Sequence, residues 1–170
     1  NVSFKSKENK NPKKKALIVL SSNFEETKFI RNILLEFDQI SSLKNYDFII
    51  KPHVNTPPKF FNYNKKYIIS HKSFYDLLSE VEIVVSGGTT ATIEAAIMNK
   101  KIILIGNSQG ITLNPLVIQS VNKEEICYSS RQFSKCLNKL SQRKNKNMIN
   151  KKLLNLYFTK DNKYFKNFYN

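Results

Sequence analysis

The chain has 170 residues, with 28 Lys and Arg against 13 Asp and Glu and a net charge of +15; this length supports one domain with a real core. It contains no run of 18 or more apolar residues, which excludes a membrane-crossing helix, and its lysine-rich start lacks the apolar stretch and cleavage site of a secretory signal. Two cysteines, Cys127 and Cys136, and two histidines, His53 and His71, are too few and too far apart for a metal cluster or redox motif, so the thiols read as reduced core residues and no metal is expected.

Residues 1–15 form a basic leader, six Lys against Glu8, and residues 139–170 carry nine Lys or Arg against Asp161, which leaves 13 basic and 11 acidic side chains between them. The basicity therefore belongs to the flanks. Either these attract an anionic membrane leaflet, where each nearby Lys or Arg is worth about 1 kcal/mol, or they reflect a general enrichment in Lys, Asn, Ile, Phe and Tyr, all AT-rich codons. No reader motif accompanies the charge, so no specific nucleic-acid partner is expected. The expected location is cytoplasmic, with the inner face of the membrane as a peripheral address. The chain starts at Asn1 and not Met, which is compatible with its being part of something longer.

After the leader, Ala16 to Leu20 is a continuous apolar run that predicts a buried parallel strand, ending at Ser21-Ser22-Asn23. From Phe24 to Ile40, Phe29, Ile30, Ile33, Leu34 and Phe37 fall on one helical face, with Glu25 and Glu26 in the first turn as the helix dipole prefers. Asp47 to Lys51 predicts a second strand, and the prolines of 52–58 keep the following segment extended. Tyr67 to Ser70 predicts a third strand, and Ser73 to Ser79 a helix with Phe74, Leu77 and Leu78 inward. Val81 to Val85 predicts a fourth strand, Thr90 to Met98 a helix and Lys101 to Ile105 a fifth strand. A short helix near Pro115 to Ser120, a strand at Glu125 to Tyr128, a helix from Ser130 to Leu140 and a polar linker follow. The last twenty residues, with Leu153, Leu154, Leu156, Tyr157, Phe158, Phe165 and Phe168, read as an amphipathic tail suited to a missing partner. The organisation is thus a basic leader 1–15, an α/β domain 16–141 and a basic amphipathic tail 142–170.

Strands alternating with helices at this spacing imply a Rossmann-like parallel sheet flanked by helices, in which ligands bind beyond the carboxyl ends of the strands. Those ends are Ser21-Ser22, Lys51 to His53, Ser70-His71, Ser86 to Thr90 and Gly106 to Gly110, the polar or glycine-bearing segments of an otherwise apolar set. The richest is Ser86-Gly87-Gly88-Thr89-Thr90, a strand, glycine turn and helix start in sequence. Two glycines let the backbone approach a ligand, and a helix start with free N–H groups favours phosphate. Glu94, a turn further in, repels phosphate, so its fitting partners are hydroxyl donors such as those of a ribose; paired with a lysine, it would be an ordinary surface carboxylate.

With these residues in view, the chain resembles the C-terminal, nucleotide-sugar-binding half of a GT-B glycosyltransferase. In the lipid-intermediate N-acetylglucosaminyltransferase of peptidoglycan synthesis a glycine turn is followed six positions later by a ribose-gripping Glu, the separation of Gly88 and Glu94. The passage Asn99-Lys100-Lys101-Ile102-Ile103-Leu104-Ile105 is similar to the family's Gly-Lys-Pro entry into the next strand, with Asn99 and Lys101 replacing the Gly and Pro. The likeness covers about residues 15–141, and its specific part is 84–106. Bacterial surface-carbohydrate transferases, including those using CMP-activated acidic sugars, carry a Lys-Pro-His-Pro motif after the second strand; Lys51-Pro52-His53 matches its start and Val54 departs from its last Pro.

The resemblance implies the donor-binding half of a transferase that moves a sugar from a CMP- or UDP-linked donor to a surface-carbohydrate acceptor. Ser86, Gly87, Gly88, Thr89, Thr90, Glu94, Lys51 and His53 would then bind nucleotide, and Asn107, Ser108, Gln109 and Asn114 would bind sugar. Read without the resemblance, His53 is a loop histidine bonded to backbone. The nucleotide-sugar is the donor substrate and no further cofactor is expected. No general base is identifiable, so catalytic residues are left unassigned and transfer is expected to need an acceptor-binding half, in an N-terminal domain or a separate subunit. Two other classes fit the same residues: a domain of a non-hydrolysing UDP-N-acetylglucosamine epimerase, and a partner-dependent nucleotide-binding module with no activity alone.

Overall fold

The computed structural model describes residues 13–40, 46–55, 67–112, 114, 116, 125–144, 150, 153 and 155. Its elements are β1 (Lys14–Val19), α1 (Phe24–Ile40), β2 (Tyr46–Lys51), β3 (Tyr67–Ile69), α2 (Phe74–Glu80), β4 (Ile83–Ser86), α3 (Ala91–Ile97), β5 (Lys101–Ile105), β6 (Ile126–Cys127) and α4 (Ser130–Gln142). The strands form one sheet in the order β3-β2-β1-β4-β5-β6, and every pairing is parallel. This is the Rossmann-like arrangement that the sequence predicts.

Alternation along the strands divides the core. Ile18, Val85 and Ile103 face one side and pack with Ile30, Phe37, Phe133 and Leu137 of α1 and α4. Leu17, Val84 and Leu104 face the other and pack with Leu77, Leu78, Ile93 and Ile97 of α2 and α3. A strand segment buried on both faces has no polar positions to alternate, which is why 16–19 of β1, 83–85 of β4 and 102–105 of β5 read as unbroken apolar runs. Helix starts are fixed locally: the Asn23 Oδ1 accepts from the Glu26 N–H, Ser73 caps α2 through Asp76, and Ser129 caps α4 through Gln132. At the end of α3, Asn99 takes the left-handed region with φ 55°. That explains how Asn stands in for the Gly of the resembled passage, since these two residue types best tolerate such a turn.

Two boundaries differ from expectation. β1 begins at Lys14, inside the supposed leader, because Lys14 and Lys15 pair with Tyr46 and Asp47 and their ammonium groups reach the Ser141 carbonyl and Glu80. Leu153, expected in a tail suited to a partner, is buried in the core on the α2/α3 side. The cause is local: the Asn150 N–H donates to the Ile97 carbonyl and its side chain accepts from the Leu153 N–H. The expected helix near Pro115 to Ser120, apart from buried Leu116, and most of the tail lie outside the described residues.

Cys127 and Cys136 are buried free thiols, and a hydrogen bond with Cys136 together with burial pushes the Cys127 thiol up. Among the described residues no helix is long and apolar enough to cross a membrane.

Tyr67 joins the β3 edge to α1, its hydroxyl donating to the Leu34 carbonyl and the Asp38 carboxylate. Burial and the neighbouring Asp38 hold its pKa well above 10.0. Above pH ~10 the unfolded tyrosine releases its proton and the folded one keeps it, so the unfolded state binds fewer protons and stability falls as pH rises. Tyr67→Phe is expected to cost about 1 kcal/mol at neutral pH and to flatten the loss between pH ~9 and ~11. Urea midpoints across that range check both, and parallel pH profiles for the two proteins would exclude this role.

Candidate functional site at the carboxyl ends of the strands

β1 and β4 lie side by side, with Val19 opposite Ser86. β1 leads through α1 to β2 on one side, and β4 leads through α3 to β5 on the other. Connections therefore diverge above this pair, and a crevice opens at its carboxyl end.

The glycine turn is held from below by Asn114, which is 2% exposed. Its amide nitrogen donates to the Gly87 carbonyl, to Thr92 Oγ1 at 2.8 Å and to the Thr89 carbonyl at 3.3 Å. Its oxygen accepts from the Leu116 N–H at 3.0 Å. All of this buried amide's hydrogen-bonding capacity is spent on the turn and its neighbours. Asn114 is thus a bracket for the cradle, a different role from the sugar contact read from sequence.

From α1, the Glu26 Oε2 accepts from the Gly88 N–H at 2.7 Å. A Cβ on Gly87 would overlap this same carboxyl group, so the glycine makes room for it. Glu26 Oε1 is buried without a hydrogen-bond partner among the described residues. The turn therefore holds an anion, and that anion belongs to the chain itself. Read as sequence, Glu26 has only a helix-dipole role; its spacing from Asn23, at the polar end of β1, is the signal that could have found it.

Beside this contact lies a cleft of about 450 Å³ between the first turns of α1 and the loop after β5. Asn23, Glu26 and Asn32 line one wall and Asn107, Ser108 and Gln109 the other, with Phe29 and Ile105 also contributing. The loop staples itself: Asn107 Oδ1 accepts from the Gln109 and Ile111 N–H groups, and Gly110 supplies a φ of 75°.

The remaining predicted residues stand apart from this cleft. The half-buried Glu94 accepts from the Tyr75 hydroxyl of α2 at 2.6 Å and has no lysine partner among the described ion pairs. Thr90 caps α3 without using its side chain, while Thr89 Oγ1 accepts weakly from Ala91 N–H at 3.4 Å. At the end of β2, Lys51 donates to the Lys72 carbonyl and His53 Nδ1 accepts from the Asn55 N–H. Ser86 is fully buried, and its hydroxyl lacks a partner among the described residues.

No protein-family model matches the chain, and no curated protein matches it in sequence. Solved structures do share its fold. The UDP-GlcNAc 2-epimerase of Methanocaldococcus jannaschii, in complex with UDP-GlcNAc and UDP, is 21% identical with a TM-score of 0.54, over 81% of this chain and 42% of its own. The catalytic domain of the cholesterol-alpha-glucosyltransferase of Helicobacter pylori is 12% identical with a TM-score of 0.53, over 74% of this chain and 87% of its own. The S. aureus MnaA–UDP structure is 11% identical with a TM-score of 0.51, over 78% of this chain and 37% of its own. The class defined is the Rossmann-like α/β domain found in these proteins, and the chain spans less than half the length of the epimerase.

Proposed function

We propose that this domain binds a nucleotide-linked sugar and serves as the donor-binding half of a glycosyltransferase acting on a surface-carbohydrate acceptor. The observation that carries this reading is the Gly88 N–H, engaged above the β1/β4 junction by the carboxylate of Glu26, a residue that also lines a polar cleft of about 450 Å³. A phosphate would take the Gly88 amide and the nearby Thr90 N–H, beside Ser86, Gly87 and Thr89, whose own N–H closes the turn on the Gly87 carbonyl at 3.1 Å. Asn107, Ser108 and Gln109 would meet the sugar. Glu94, oriented by Tyr75, would accept from ribose hydroxyls, and Lys51 and His53 would flank the nucleotide from the end of β2.

In transfer, negative charge grows on the leaving phosphate, and fixed N–H dipoles lower that barrier because they need not reorient; one such donor is commonly worth about 3 kcal/mol. Transfer itself is expected only with an acceptor-binding half. The basic flanks fit attraction to an anionic membrane, where such an acceptor would be presented.

Glu25 and Glu26 on the cleft wall favour a second reading, an epimerase-like domain, because carboxylates beside a sugar can move a proton at carbon. Calorimetric titration with UDP-GlcNAc and with CMP tests the proposal. One-site binding of either supports nucleotide-sugar recognition and names the donor class; no binding of either contradicts it. Deuterium entering UDP-GlcNAc from heavy water would favour the epimerase reading over the transferase one.

A further inference from the structure

Glu26 stands where a ligand anion is expected, and it does so incompletely. One carboxylate oxygen takes the Gly88 N–H at 2.7 Å, and the other is buried with no partner among the described residues. A buried oxygen left unmatched weakens the contact that holds it there. The helix backbone beneath stays anchored, since the Glu26 N–H is held by Asn23 Oδ1 at 3.1 Å, so the side chain can leave while the helix stays.

A single N–H cannot serve a carboxylate and a phosphate at once. Building on the functional reading above, we infer that Glu26 is a specificity-determining residue: its carboxylate yields the Gly88 amide to phosphate and turns to the hydroxyls of the linked sugar, so that sugar-bearing nucleotide is bound in preference to free nucleotide.

Electrostatics supplies the discrimination. A carboxylate displaced by a phosphate remains beside another anion and is repelled unless it gains hydrogen-bond donors. The cleft lining carries two carboxylates, Glu25 and Glu26, against one ammonium, Lys28, so its charge still disfavours an added anion. A free nucleoside diphosphate brings more negative charge and no hydroxyl to this part of the cleft. A linked sugar brings hydroxyl donors between Glu26 and the Asn107–Gln109 wall, and hydrogen bonds to a charged acceptor are the strong kind.

The test is titration calorimetry of UDP and UDP-GlcNAc against the full chain, Glu26→Ala and Glu82→Ala. Glu82 lies at the other end of β4, is exposed and pairs with Lys101, so its variant removes the same charge far from the cleft. Glu26→Ala is expected to bind UDP about tenfold more tightly, equivalent to ~1.4 kcal/mol, and UDP-GlcNAc within about threefold of the unaltered chain, so that the preference for the sugar shrinks. Glu82→Ala should leave that preference as it is. Thermal melts of each protein establish that the variants fold. Weaker or unchanged UDP binding by Glu26→Ala, or an equal change from Glu82→Ala, would overturn the inference and leave the functional reading standing. Absence of binding by the unaltered chain would overturn the functional reading in its UDP form, and this inference with it.

Discussion

Asn114→Asp is expected to destabilise the protein by about 3–5 kcal/mol, the range for an uncompensated buried charge. The substitution keeps shape and volume and changes only the chemistry. The amide nitrogen that donates to the Gly87 and Thr89 carbonyls becomes a carboxylate oxygen pressed against them, in a site 2% exposed. With a slope of about 2 kcal/mol/M, the urea midpoint should fall by about 1.5–2.5 M. Asn114→Ala should cost somewhat less, because it strands the same backbone groups without adding a charge. If Asn114→Asp lowered the midpoint by less than about 0.5 M, the glycine turn would have to be held by something other than this side chain. The effect should also reach binding, since the turn and the α3 start are fixed by one amide.

Glu94→Gln carries the second large effect, on ligand choice and not on stability. Its carboxylate accepts from the Tyr75 hydroxyl, which leaves acceptor capacity for a ribose. Hydrogen bonds to a charged acceptor are worth about 1.5–3 kcal/mol, so binding of a ribonucleotide should weaken about 10- to 100-fold. The corresponding 2′,3′-dideoxynucleotide, lacking both hydroxyls, should lose little. Calorimetry with both ligands on both proteins reads the difference. Equal losses would assign Glu94 to the packing of α2 on α3 and remove ribose from the account.

Much of the fold was legible because its causes are local and repetitive. A strand covered on both faces must be apolar throughout, and Ala16 to Leu20, Ile83 to Val85 and Ile102 to Ile105 are. The order of the strands follows from alternation of strand and helix, and so does the position of a crevice. The strand edges were less visible: Lys14 and Lys15 look like solvent residues until β2 is placed beside them. Leu153 looks like tail in the sequence because nothing in its neighbourhood announces the Asn150 bond to Ile97 that returns the chain to the core.

The site was legible in outline only. Gly87 and Gly88 mark a close approach, but sequence does not say what approaches. The answer, Glu26, lies 62 residues away from the amide it engages and already had an adequate explanation as a first-turn acid. Asn114 was equally hidden, since an asparagine before a proline suits a loop contact as well as a buried bracket. Long-range hydrogen bonds of this kind depend on tertiary placement, and no periodicity encodes them.

If the proposal holds, phosphate displaces Glu26 at the Gly88 amide. Titration of the isotopically labelled chain with UDP-GlcNAc, followed by amide NMR, reads that displacement at the amide itself. The Gly88 signal is expected to shift most, together with those of Asn107 to Gln109. Binding that moves another surface and leaves the Gly88 signal where it began would contradict it.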